Sequence, residues 1–204
     1  MRPAIPLICA CLCLAAGPQQ DRRETRLPFS AADADRFVTK WATVVARSQL
    51  PPARRRKPVQ TVVTEPEVNA YLRFRAGGTV PAGVVDPYVF ALGNGRLAAA
   101  ATVDLDAVRL SRERGLFDVG QLLRGRVPVT ATGVLRAHGG VFVFDLESAT
   151  AAGFPFPKTL LQELVSFYSR SSANPGGVDL DAPFELPAGI REIVVQATKA
   201  IIVQ

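Results

Sequence analysis

An amphipathic helix is predicted near the start of the chain. Ser30 and Asp33 form a capping-box pattern in which Asp replaces the usual Glu or Gln. The apolar residues that follow recur at spacings of four and three, which places them on one face of a helix. These residues are Phe37, Trp41, Val44 and Val45. We expect the helix to run to about Ser48, to end before Pro51, and to bury this face in the core.

Two further helices are predicted from capping signals and spacing. Thr64-Glu65-Pro66-Glu67 combines a Thr cap, a Pro in the first turn and a Glu three residues after the cap, which is typical of a helix start. This helix should end at Gly77-Gly78, because glycine commonly terminates helices. A third helix is predicted from Lys158 to about Arg170, where the apolar residues share one side.

The remaining pattern predicts antiparallel strands. Two pairs of long apolar runs flank glycine-containing turns, which indicates two β-hairpins. The paired runs are Tyr88–Leu92 with Arg96–Val108, and Val127–Leu135 with Val141–Leu146. Shorter β-branched runs occur at Val59–Val63, Gly189–Gln196 and Thr198–Gln204. Helices that are segregated from antiparallel strands indicate an α+β fold, with long hairpins packed against a few amphipathic helices.

The first seventeen residues have the pattern of a secretory signal. Arg2 precedes the apolar run Leu7–Ala16, which is much shorter than the ~20 residues of a membrane-spanning helix. All three cysteines, Cys9, Cys11 and Cys13, lie in this segment. Cleavage would therefore leave a chain with no disulfide, thiol nucleophile or thiolate metal site. We expect a periplasmic or secreted protein, and lipoprotein anchoring at Cys11 is the alternative.

These patterns divide the chain into three parts. Residues 1–17 are the predicted signal peptide, and residues 18–57 contain a polar lead, the amphipathic helix and a basic linker. Residues 58–204 form an α+β region that is expected to make one domain with the preceding helix.

The formal net charge of +6 is concentrated near the beginning of the chain. Residues 1–60 contain eleven Lys or Arg and four Asp or Glu. The densest part is Arg54, Arg55, Arg56 and Lys57, directly after two prolines. This segment is interpreted either as a solvated linker or as a contact for anionic lipid head groups or for a partner. Nucleic acid is not expected as a partner, because no aromatic-studded basic strand or recognition helix accompanies the basic segment.

The sequence offers little for catalysis. Its one histidine, His138, lies at a predicted hairpin tip, and no Gly-x-Ser-x-Gly elbow accompanies it. Two carboxylate pairs, Asp104 with Asp106 and Asp179 with Asp181, are interpreted as the polar outer face of strands. A hydrolase that uses Asp104 or Asp106 is the remaining enzymatic hypothesis. We expect no catalytic residue, no metal site and no cofactor.

Three motifs resemble those of certain bacterial exported proteins of uncharacterised function, which in turn resemble the tubular lipid-binding (TULIP) superfamily. The motifs are Thr64-Glu65-Pro66-Glu67-Val68-Asn69-Ala70-Tyr71-Leu72, Phe156-Pro157-Lys158-Thr159-Leu160-Leu161 and Leu186-Pro187-Ala188-Gly189-Ile190. The resemblance covers roughly residues 58–204. It implies a long helix lying against a strongly bent antiparallel sheet, with lipid held between them, and it carries over no catalytic residue.

The leading hypothesis is therefore an exported, non-enzymatic protein that binds a lipid or another hydrophobic small molecule at the cell envelope. The candidate lining residues are Leu97, Ala99, Ala101, Val103, Phe142, Phe144, Leu161, Leu164 and Val165. Strand alternation does not decide whether Phe142 and Phe144 or Val141 and Val143 face the ligand. The alternative is an envelope interaction or scaffold protein with a fully packed core.

Overall fold

A computed structural model describes residues 26–55, 57–77, 80, 83–104, 125–169, 175–176 and 179–204. The predicted signal peptide, Arg56 and Asp106 lie outside these residues. The described helices are α1 (Ala31–Ser48), α2 (Glu65–Phe74) and α3 (Lys158–Ser169), and a short 3₁₀ turn spans Pro52–Arg54. The described strands are β1 (Gln60–Thr64), β2 (Val84–Gly93), β3 (Arg96–Asp104), β4 (Arg126–His138), β5 (Val141–Ala151), β6 (Phe154–Pro155), β7 (Phe184–Glu185), β8 (Glu192–Gln196) and β9 (Lys199–Val203).

Within the described ranges, all nine strands form one antiparallel sheet that is not closed. Its main order is β1-β9-β8-β4-β3-β2, and β5 pairs with β4, β6 and β7. Strand β8 pairs with the end of β4 through Ala137 and Ile193, and Ala197 forms a bridge to Leu92 at the end of β2. The short β1-β9-β8 unit therefore meets the long hairpins at their turn ends. An α+β fold with long hairpins is confirmed.

The two long hairpins form where the sequence predicts them. Asn94 and Gly95 adopt φ angles of 52° and 78° between β2 and β3, the positive values that a two-residue hairpin turn requires. The second hairpin turns at Gly139 and Gly140, which also have positive φ. Its strands extend beyond the predicted runs, because the alternating residues after Leu146 also pair with β4.

One core cluster lies between α1 and the sheet. Its buried residues come from α1, β1, β4, β9 and the segment before β8: Val44, Val63, Ala137, Leu186, Ile190 and Ile202. Phe37 packs against this cluster and also contacts Tyr71 of α2, with the ring centroids 4.7 Å apart. The sequence prediction was wrong for Trp41 and Val45, which are 36% and 38% exposed. The two α1 residues that pack in this cluster, Phe37 and Val44, lie about 20° apart around the helix, whereas Trp41 and Val45 lie roughly 40° and 80° from Phe37 on the side away from Val44.

A second core cluster lies on β2 and β3, on the face of the sheet opposite to Ala137. It contains Tyr88, Phe90 and Ala98, with Phe29 and Ala100 packed against them. Phe29 also contacts Phe74 at the end of α2, with a centroid distance of 6.1 Å. The methyl-sized side chains on this face of β3 therefore permit close approach of aromatic rings from neighbouring segments.

Candidate functional site

The polar residues of the α2 motif form a buried network at the edge of the sheet. Asn69 accepts a hydrogen bond from the Val89 N–H and donates one to the Val89 carbonyl, both at 2.8 Å. The Glu65 carboxylate accepts hydrogen bonds from the Tyr88 hydroxyl and the Ala91 N–H, both at 2.9 Å. Strand β2 ends the main strand order, so α2 satisfies backbone groups that an edge strand would otherwise leave open.

Glu67 joins this network to α1. Its carboxylate oxygens lie 2.7 and 2.8 Å from Lys40 Nζ, and one of them accepts the Thr64 N–H at 2.9 Å. Burial acts to raise the pKa of Glu67, but the hydrogen bonds from Lys40 and Thr64 outweigh it, so the pKa lies below 4.5. Burial and the hydrogen bond to Glu65 raise the pKa of Tyr88 to about 12. The ionised Glu67 carboxylate therefore joins α2 to α1 through Lys40, and the neutral Tyr88 hydroxyl joins β2 to α2 through Glu65.

A different part of the sheet carries a continuous apolar surface. Cross-strand partners in antiparallel strands point to the same face. In the register of β3 with β4, Leu97, Ala99, Ala101 and Val103 stand opposite Gly133, Ala131, Val129 and Val127. Ala131 and Val129 stand in turn opposite Ala149 and Ala151 of β5. We refer to the side of β3, β4 and β5 that bears these residues as the apolar face.

A β-bulge decides which residues of β5 belong to the apolar face. Thr132 pairs with Ser148, whereas the next residue, Gly133, pairs with Leu146, so Glu147 is an extra residue in β5. Beyond the bulge, Leu135 pairs with Phe144 and Ala137 pairs with Phe142. Both phenylalanines therefore share the face of Leu97, while Val141 and Val143 point the other way.

One end of the apolar face is part of the core. Phe142 packs against the cluster beneath α1, and its ring stacks on Phe184 with centroids 4.9 Å apart. Phe144 lies over Gly133: a Cβ atom added to that glycine would stand 2.6 Å from Phe144 Cζ. Of the predicted lining residues, these two fill space at the α1 end of the face.

The rest of the apolar face has small side chains of mixed exposure, and two of them, Val127 and Ala149, are buried. Ala99 is exposed, and Ala101, Val103, Val129 and Ala131 are half-buried. Phe154 pairs with Ala151 across a two-residue turn, so it shares this face, and it is 75% exposed. An exposed aromatic residue beside a row of methyl groups is typical of a surface that contacts an apolar partner.

The opposite face of β4 and β5 is polar. Thr130 and Thr150 are cross-strand partners whose hydroxyl oxygens lie 2.7 Å apart. Ion pairs join Arg96 to Glu147 at 2.7 Å and Arg136 to Asp145 at 2.8 Å. The same strands thus present one polar face and one apolar face.

Helix α3 contacts β5 and the segment that precedes β7. Leu161 and Val165 are half-buried, whereas the side chain of Leu164 lies outside the described part of the structure. The Gln162 side-chain carbonyl accepts the Leu180 N–H at 2.7 Å, and Lys158 forms an ion pair with Asp181. These contacts place α3 beside the strand that supplies Ala149 and Ala151.

The predicted basic segment divides in the structure. Arg54 and Lys57 are exposed, whereas Arg55 is half-buried and lines a cavity at the C-terminal end of α1. The predicted contact residues therefore do not form one uniform surface. The spacing of the four basic residues contains no signal for this division, because Arg55 meets its neighbours only through the tertiary fold.

Of the described residues considered for catalysis, His138 lies at one end of β4 and Asp104 lies beside its other end. His138 is exposed at the end of β4, and Asp104 is 3.4 Å from the Arg126 guanidinium on the neighbouring strand. Asp181 pairs with Lys158, and its N–H donates to Asp179. Among the described residues, no three His, Cys, Asp or Glu side chains form a cluster suited to a metal ion. No helix in the described ranges has the length and apolar character to cross a membrane.

No protein-family model matches the chain, and no curated protein matches it. Among solved structures, the chain is similar to the crystal structure of a lipopolysaccharide binding protein, with 15% sequence identity and a TM-score of 0.22. The match covers 72% of this chain and 40% of that chain. The chain thus spans less than half the length of that protein, and a TM-score of this size does not establish a common fold.

Proposed function

We propose that this protein is an exported, non-enzymatic protein that binds a lipid or another apolar molecule at the cell envelope. The apolar face is the observation that carries the proposal. Away from the α1 end, this face combines the exposed Ala99 with half-buried methyl groups on three strands and the 75% exposed ring of Phe154. Burial of such surface beneath a hydrocarbon chain is favourable by roughly 25 cal/mol per Å².

The small side chains give this surface a specific shape. In this proposal the alanines of neighbouring strands form a shallow trough beside larger residues, and an extended alkyl chain fits this trough better than a bulky ring does. Phe144 and Leu97 bound the trough towards the core, and Phe154 bounds its far end. In this proposal the sheet bends around the ligand, and Leu161 and Val165 of α3 supply a flank.

Native mass spectrometry with organic extraction tests the proposal on protein purified from its own envelope fraction. A stoichiometric adduct of lipid mass is the expected result, and extraction then identifies the ligand class. A clean mass without adduct, together with no uptake of added phospholipid, would overturn the proposal and would favour a fully packed core. Recovery of the mature chain in the envelope fraction, with the first residues removed, tests the proposed export.

A matched pair of substitutions on β4 distinguishes binding on the apolar face from adhesion elsewhere. Ala131→Phe places a ring in the trough, whereas Thr130→Phe places the same ring on the polar face one residue away. We expect the first variant to lose most of the adduct and the second to retain it. Equal retention by both folded variants would show that the ligand lies away from this face.

A second candidate function rests on the exposed Arg54 and Lys57. A scaffold protein could use these side chains to contact an anionic membrane or an acidic partner. Replacement of Arg54, Arg55, Arg56 and Lys57 by Ser should then weaken binding to vesicles that contain phosphatidylglycerol. This binding should fall steeply with salt, since exposed charges are screened over about 10 Å at 0.1 M ionic strength. Binding that is independent of salt would exclude this function.

A further inference from the structure

Three arginines, two near the C-terminal end of α1 and one far along the chain, line one cavity of about 310 Å³. Arg47 comes from the last turn of α1, Arg55 follows the 3₁₀ turn, and Arg191 directly precedes β8. The other lining residues are Ser48, Ala188, Gly189 and Gln204. No Asp or Glu side chain is among the described residues that line it, so the cavity concentrates positive charge.

Two of the guanidinium groups in this cavity contain a buried donor without a partner, and the third, on Arg191, belongs to an exposed residue. The Nε atoms of Arg47 and Arg55 are buried and have no hydrogen-bond partner. Arg47 donates through a terminal nitrogen to the Lys57 carbonyl, and no ion pair connects any of the three arginines to an acid in the described ranges. An unpaired charged donor that is shielded from water is unfavourable, and an anion in the cavity would satisfy it.

The wall of the cavity is a tight turn in the Leu186-Pro187-Ala188-Gly189-Ile190 motif. The Ile190 N–H donates to the Pro187 carbonyl at 3.1 Å, and Ala188 and Gly189 have φ angles of 55° and 63°. A Cβ atom at Gly189 would lie 3.5 Å from the Arg55 Nη1 atom. The positive φ at Gly189 favours glycine in this turn, and the guanidinium of Arg55 packs at van der Waals distance from it.

Gln204 ties this turn to α1. Its side-chain N–H₂ donates to the Val44 carbonyl at 2.8 Å and to the Ala188 carbonyl at 2.7 Å. Gln204 therefore connects α1, which carries Arg47, to the turn at Ala188, and Val44 connects both to the core cluster. A cavity with connected walls can hold charged groups in a defined arrangement before a ligand arrives.

We propose that Arg47, Arg55 and Arg191 form a binding site for a phosphate group. Each guanidinium can donate two parallel hydrogen bonds to phosphate oxygens, and this fork is better matched to an oxyanion than a lysine ammonium is. A cation at the C-terminal end of a helix is stabilised by the helix dipole, which explains the position of Arg47 at the end of α1. This effect does not explain why Arg55 and Arg191 lie in the same cavity. The site does not depend on the apolar face or on the proposed lipid ligand.

The test is a titration of the full chain with inorganic phosphate, followed by calorimetry, for wild type and for Arg55→Gln and Arg191→Gln. Arg73→Gln is the matched control, because it removes the same charge from an exposed position on α2 and does not line the cavity. We expect each cavity variant to weaken binding about tenfold or more and the control to bind as wild type does. Circular dichroism and thermal unfolding check that each variant folds.

Vesicles distinguish the two sources of a phosphate group. Binding of inorganic phosphate and of phosphatidic acid vesicles, both lost in Arg191→Gln, would assign the site to phosphate in a lipid head group. Binding of inorganic phosphate with no dependence of vesicle binding on Arg191 would assign it to a soluble phosphate compound. Equal weakening by Arg73→Gln and the cavity variants would overturn the proposal in favour of general charge attraction. Absence of any phosphate or vesicle binding would also overturn it.

Discussion

The Asn69 side chain bonds both the N–H and the carbonyl of Val89, each at 2.8 Å, in the manner of a neighbouring strand. Asn69 is only 1% exposed, and its amide nitrogen also donates to the Glu65 carbonyl within α2. One side chain thus closes the exposed edge of β2 and fixes the distance between α2 and the sheet. The motif that suggested a family resemblance performs a structural task at this position.

Asn69→Ala should destabilise the protein by about 1–3 kcal/mol, because it leaves two buried backbone groups without partners. Urea unfolding measures the change. Arg73→Ala is the control on the same helix, since the pair that Arg73 forms with Asp86 is more than half exposed. Its loss should be within about 1 kcal/mol. Equal losses for the two variants would contradict the role of Asn69 at the strand edge.

The Glu67 pair with Lys40 should make stability depend on pH. The pKa of Glu67 is lowered in the folded protein, so its contribution is present above the unfolded value near 4.5 and is lost as the pH falls through the folded value. Glu67→Gln should therefore lower the free energy of unfolding at neutral pH and differ less from wild type in acid. Denaturant unfolding at a series of pH values measures this. Asp35→Asn, at an exposed pair with Arg75, should show little effect at any pH.

Gly133→Ala should destabilise the second hairpin. The added Cβ atom would lie 2.5 Å from the Asp145 carbonyl oxygen and 2.6 Å from Phe144 Cζ, so the strand and the ring must move. We expect a loss of about 1–3 kcal/mol, as for other overpacked sites. Gly77→Ala is the control, because no atom lies within 4 Å of its added Cβ. A thermal melt of Gly133→Ala that matches the melt of Gly77→Ala would refute the contact.

Phe154 should report an apolar ligand. In a Trp41→Phe background, which removes the native tryptophan, Phe154→Trp should shift its emission to shorter wavelength when a short-chain phospholipid is added below its micelle concentration. Val141→Trp is exposed but lies on the opposite face of β5, and it should not shift. An emission shift of the same size at both positions would indicate nonspecific binding of the phospholipid.

Local chemistry accounts for the elements that were predicted correctly. The capping residues before α1 and α2 set where those helices begin, and Asn94 and Gly95 set the first hairpin turn through positive φ. Each of these signals acts within about four residues, so no knowledge of the fold is needed to interpret it. The helix from Lys158 was predicted from apolar spacing in the same way.

The sequence did not show which side chains of neighbouring strands share a face, because this depends on the strand register. Alternation divides β5 into two sets of side chains, but it does not show which set shares a face with Leu97. The bulge at Glu147 decides this, and nothing in the residue pattern marks that position. Similarly, Trp41 and Val45 satisfy helical spacing but lie beside the contact stripe, because the packing direction of α1 depends on α2 and the sheet.

By itself, the sequence determined the α+β class, the helix starts, the hairpin turns and the apolar character of the long strands. Only the tertiary structure decided that the α2 motif closes a sheet edge, that Phe142 and Phe144 share the apolar face, and that Arg47, Arg55 and Arg191 meet. The physical reason is the separation in sequence over which each kind of interaction acts. Caps and turns are local interactions between near neighbours in sequence, whereas edges, faces and cavities arise from residues that come together only when the sheet forms.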